Sequence, residues 1–143
     1  MAGRTYSQPV YSKVGPDGFH QQIFVMYHAT NSKNVAGILE NGFKSSKGGM
    51  LGPGVYLSRD IDKTCYYGNV CFKALVYTGK TKKMNTKDVN GSWRQNYDSA
   101  YLPPNNNVVP SKREETCIKS AKNIRDCSSI LRGVEILKTF KLL

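Results

Sequence analysis

Acidic residues are scarce in this chain: 10 Asp and Glu stand against 21 Lys and Arg, a formal charge of +11 over 143 residues. That imbalance favours acidic partners, nucleotides and nucleic acid among them, through long-range attraction. The basic residues are scattered, with Lys44 and Lys47, then Lys80, Lys82, Lys83 and Lys87, then Lys112 and Arg113, then Lys119, Lys122 and Arg125. No arginine-rich helix gathers them, so a solvated surface and a polyanion-binding face both stay open. Histidine is limited to His20 and His28, and the four cysteines, Cys65, Cys71, Cys117 and Cys127, lack Cys-x-x-Cys spacing. No metal site is expected, and the thiols are expected to be reduced and mostly buried. Apolar runs long enough to cross a bilayer are missing, and Met1-Ala2-Gly3-Arg4 carries neither a signal core nor a myristoylation pattern. The expectation is a cytoplasmic or nuclear protein with no membrane partner.

The length suits one domain with a real core. Residues 1–20, polar and broken by Pro9, Gly15, Pro16 and Gly18, read as a flexible arm, and residues 21–143 as a single domain. A β-branched and aromatic run at 23–27 predicts a central strand. Asn31 or Ser32 can cap a short helix with Val35, Ile38 and Leu39 on one face, stopped at Asn41-Gly42, after which Phe43 returns to the core. Val55-Tyr56-Leu57 predicts a strand, residues 60–67 a helix capped by Asp60, and residues 70–77 another strand. Residues 80–113 show little periodicity and read as one long loop. A short strand at 115–118 and one or two strands across 124–143 complete the chain.

Two short segments carry the chemistry: Val25-Met26-Tyr27-His28-Ala29-Thr30 and Gly52-Pro53-Gly54-Val55-Tyr56-Leu57-Ser58. Each ends an apolar run on an aromatic or imidazole side chain beside small residues, as strand ends do when they present groups to a flat ring. Gly48, Gly49, Gly52 and Gly54 precede or adjoin Tyr56, and such a loop lets backbone approach a ligand closely. A cleft with a mobile lid is expected. Taken alone, His28 reads first as a satisfied, partly buried histidine at a strand end, and Tyr56 as a core residue.

With Glu115 set beside them, these segments resemble the poly(ADP-ribose) polymerase type of ADP-ribosyltransferase. Tyr27-His28-Ala29-Thr30 is similar to the family's Tyr-His-Gly-Thr/Ser, and Gly54-Val55-Tyr56-Leu57-Ser58 to its Gly-Ile/Val-Tyr-Phe-Ala/Ser. Thr64 and Tyr67 match a hydroxyl residue and a tyrosine that face nicotinamide. Tyr97-Asp98-Ser99 resembles the family's Tyr-Asp-Ser, and the stretch Arg113-Glu114-Glu115-Thr116-Cys117-Ile118, followed by Asn123-Ile124-Arg125, its glutamate strand. Counting back from Ile124 puts the family's carboxylate on Glu115, so Glu114→Gln is expected to be mild. Residues 38–43 and 48–56 also look like small stand-alone fish proteins induced by virus or interferon.

The resemblance implies an α+β fold of two packed, mainly antiparallel sheets with short flanking helices. It implies NAD+ as substrate and no metal, with His28, Tyr56 and Glu115 as catalytic residues. His28, Ala29, Thr30, Tyr56, Thr64 and Tyr67 are then the NAD+-binding residues. The acceptor is a protein or nucleic acid, single-unit transfer is favoured over chain growth, and a role in antiviral innate immunity is suggested. Ala29 replaces the usual glycine and Thr116 an aromatic. A catalytically silent relative that binds NAD+, ADP-ribose, RNA or a protein is the alternative, with Trp93, Tyr97 and Tyr101 available to stack bases.

Overall fold

The computed structural model describes residues 8–18, 20–60, 70–131 and 134–140, with side chains described as far as residue 125 and that of residue 20 left out. The helix expected over 60–67, with Thr64 and Tyr67, lies outside the described residues.

Among the described residues, nine strands form two sheets. The first is wholly antiparallel, in the order β1 (Tyr11–Val14), β2 (His20–Thr30), β4 (Val70–Tyr77), β8 (Ile124–Leu131), β9 (Val134–Phe140). The second runs β3 (Val55–Leu57), β7 (Glu115–Ile118), β6 (Ser99–Leu102), β5 (Thr81–Lys83), with only the β5–β6 pair parallel. This is the two-sheet α+β arrangement expected from the resemblance. Within the segment read as an arm, Tyr11–Val14 is an exposed edge strand paired to β2.

Side-chain alternation along the strands explains where the core lies. Met26 of β2, with Phe72, Ala74 and Val76 of β4, meets Val55, Leu57 and Ile118 of the smaller sheet, and Phe43 closes the cluster. A second cluster, Leu51, Met84, Trp93, Ala100, Leu102, Val108 and Cys117, covers the other face of the smaller sheet. The only α-helix among the described residues, α1 (Val35–Asn41), follows a 3-10 turn at Ser32–Asn34 and ends at Gly42, whose φ of 80° suits glycine. Neither Asn31 nor Asn34 caps through its side chain; the Asn34 amide donates instead to Thr30 Oγ1 at 3.1 Å.

Residues 80–113 are not one loop. They hold β5, a 3-10 turn at Ser92–Gln95 and β6, and the rest is tied down by buried Asn106. That amide donates to the carbonyls of Pro103 and Arg113 and accepts from the N–H groups of Val108 and Val109. Cysteine chemistry also departs from expectation: Cys71 is disulfide-bonded, while Cys117 is a buried free thiol. The expectation rested on spacing along the chain, which does not fix the distance between sulfurs in the fold. No helix among the described residues is long and apolar enough to cross a membrane, and no three described His, Cys, Asp or Glu side chains group to hold a metal.

Candidate active site

The two sheets meet where β2 touches the end of β3. Tyr27 N–H donates to Ser58 O at 2.7 Å and Ser58 N–H returns to Tyr27 O at 3.0 Å. Beyond this pair the strands separate, because the Tyr56 carbonyl lies 2.7 Å from His28 Nδ1. A carbonyl only accepts, so Nδ1 carries the proton and Nε2 is left as the acceptor. Burial holds the imidazole below its ordinary pKa, a lowering that the bond to the Tyr56 carbonyl only partly offsets. His28 is therefore neutral near pH 7, its ring set edge-on to Phe43 at 5.1 Å.

Ala29 is extended within β2, opposite Cys71, and is not among the positive-φ residues. Strand alternation sends its methyl to the face away from His28 and aims its N–H and C=O to the same side as those of Tyr27, toward β3. The glycine of the family pattern is thus not demanded by backbone strain. A cavity of about 350 Å³ runs from His28 and Thr30 along α1, bounded by Lys33, Asn34, Phe43 and Lys44.

On β3, Tyr56 stands opposite Cys117 of β7, so Tyr56, Cys117 and Glu115 share one face of the smaller sheet. Burial raises the Tyr56 pKa, with the Cys117 and Glu115 side chains adding to the shift. The phenol stays protonated, donating to Gly52 O at 2.5 Å and accepting from Leu51 N–H at 3.0 Å. Burial likewise lifts the Cys117 thiol to about 11, which keeps it unreactive.

The glycine loop is clamped rather than a free lid. Trp93 Nε1 donates to Leu51 O at 2.7 Å and Arg94 Nη1 to Pro53 O at 2.6 Å. Gly49, at φ 150°, has no room for a side chain: a Cβ there would sit 2.5 Å from the Tyr56 hydroxyl. Residues 93 and 94 lie some forty positions from the loop they hold, so local sequence carries no signal for this bracing. It also removes Trp93, only 2% exposed, as a base-stacking platform. The Tyr97 ring is faced by Lys80 and Lys82, and Tyr101 by Arg59.

Adjacent glutamates separate by strand alternation. Glu115 is half-buried on the Tyr56 face, while Glu114 is fully buried on the other. Glu114 Oε1 meets Arg59 Nη2 at 2.6 Å, Oε2 accepts from Arg59 N–H at 2.9 Å, and Tyr101 adds a bond at 3.2 Å. Burial works to lower the Arg59 pKa, but the hydrogen bond and charge of Glu114 outweigh it and leave it raised. Glu114 is thus half of a structural ion pair, and its replacement is expected to cost stability rather than catalysis. His28, Ala29, Thr30, Tyr56 and Glu115 are placed by β2, β3 and β7; Thr64 and Tyr67 are outside the described residues.

A family model described as the poly(ADP-ribose) polymerase catalytic domain matches residues 6–122. No match to the chain is found among curated proteins. The family match supports ADP-ribosyltransferase activity with NAD+ as substrate.

Proposed function

Because the chain belongs to the poly(ADP-ribose) polymerase catalytic-domain family, we propose that it transfers single ADP-ribose units from NAD+ to a protein or nucleic-acid acceptor. The observation that carries this reading is the Tyr56 strand, whose carbonyl meets His28 Nδ1 and whose phenol shares a face of the smaller sheet with Glu115. The cavity along α1 takes the adenosine half, where His28 Nε2 accepts from a ribose hydroxyl. In the split, the Ala29 N–H and C=O pin the nicotinamide carboxamide and the Tyr56 ring stacks on the nicotinamide.

The bond to nicotinamide is already activated by the positive ring, so the protein has to hold geometry and charge rather than protonate the leaving group. An acceptor oxygen or nitrogen attacks the ribose carbon. The carbon–nitrogen bond breaks, its electron pair neutralises the ring, and nicotinamide departs. Glu115 stabilises the cationic ribose and takes the acceptor's proton.

An antiviral setting rests on the narrower resemblance of residues 38–43 and 48–56 alone. Incubation with NAD+ labelled in its adenosine half, followed by mass spectrometry, tests the reading. Single labelled units that free nicotinamide suppresses are the expected result. Ladders of units contradict single-unit transfer, and NAD+ binding without label transfer supports a silent relative.

A further inference from the structure

The cavity along α1 carries charge of one sign. Lys33, in the 3-10 turn after β2, and Lys44, next to Phe43, both line it and both are exposed. Neither lysine forms an ion pair among the described residues, and no Asp or Glu stands among the described residues that line the cavity. Phe43 packs edge-on to the His28 ring at 5.1 Å, so Lys44 follows directly on the residue that abuts His28.

With the adenosine half placed here as proposed above, a placement on which all that follows rests, His28 Nε2 accepts from one ribose hydroxyl and leaves the second open. In other dinucleotide sites a carboxylate takes the 2′-hydroxyl of NAD+ and repels a phosphate at that place, whereas a basic side chain accommodates the phosphate. This cavity has the basic groups and lacks the carboxylate. NAD+ and NADP+ carry the same diphosphate, but the 2′-phosphate of NADP+ adds close to two negative charges at neutral pH. We propose that the cavity accepts adenosine phosphorylated on its 2′-hydroxyl, with the 3′-hydroxyl on His28 and the phosphate between Lys33 and Lys44, so that NADP+ is a donor alongside NAD+. The bonds made and broken are those of the NAD+ reaction: the acceptor attacks the ribose carbon, nicotinamide leaves with the bonding pair, and the transferred unit keeps its 2′-phosphate.

Calorimetry with ADP-ribose and with its 2′-phosphate, at low salt, gives the ratio of the two affinities for the wild type, Lys33→Glu and Lys44→Glu. Nicotinamide release from NAD+ and from NADP+ is followed alongside. The wild type is expected to bind the 2′-phosphate about tenfold more tightly, the worth of two exposed ion pairs, with the margin narrowing as salt rises. Each glutamate variant should bring the ratio to one or below, and a ratio is insensitive to any weakening that both ligands share. A 2′-phosphate bound no more tightly than ADP-ribose, a ratio unmoved in both variants, or release from NAD+ with none from NADP+ would overturn the inference and leave the NAD+ reaction standing. Binding of neither ligand, together with no release from NAD+, would overturn both.

Discussion

At the scale of the residue, Glu114 and Glu115 are adjacent and stand in different surroundings. Glu115→Gln should abolish transfer while NAD+ binding falls little, because the carboxylate acts on charge that develops in the transition state. Glu114→Gln should instead destabilise the fold by roughly 3 kcal/mol, by leaving the Arg59 charge without its partner, and thermal unfolding measures it. Alternation along β7 makes the difference, and sequence register alone could place only one of the two roles. Ala29 was legible as a departure from the family pattern. Extended backbone and an outward methyl mean that Ala29→Gly should leave nicotinamide affinity unchanged and cost roughly 0.5–1 kcal/mol of stability. A gain in affinity would show that the methyl obstructs the site.

At the scale of the element, strands with long apolar or β-branched runs could be read directly, and β4 and β7 lie where the pattern put them. The missed elements, β5, the turn at Ser92–Gln95 and β6, are three or four residues each. They are held by partners far along the chain, Thr81 Oγ1 on Ser99 and Trp93 on Leu51 among them, so no local period announces them. The glycine loop was legible as glycines and misread as mobile, since its braces are equally distant. Trp93→Phe keeps the ring but leaves the Leu51 carbonyl without its donor, and should cost roughly 1–3 kcal/mol. Gly49→Ala should push the Tyr56 hydroxyl from its partners and raise the KM for NAD+ in steady-state assays.

At the scale of the whole molecule, function depends on two sheets that touch at Tyr27 and Ser58 and then part. The split is lined by a histidine held neutral through burial, and this gives a signed pH dependence. Its folded pKa lies below the ordinary value near 6.5. As pH falls from that value toward the lowered one, the unfolded chain binds the proton first and stability declines; above it the contribution is fully present. NAD+ affinity should hold through pH 6.5 and drop only at the lower value, where protonation turns Nε2 from acceptor to donor. The most direct test is nicotinamide release from NAD+ by the wild type, Glu115→Gln and Glu114→Gln, each confirmed folded at the assay temperature. Release by the wild type and by folded Glu114→Gln, with a loss of a hundredfold or more in Glu115→Gln, is the predicted result. An active Glu115→Gln beside a folded but dead Glu114→Gln, or no release from a wild type that binds NAD+, would contradict it.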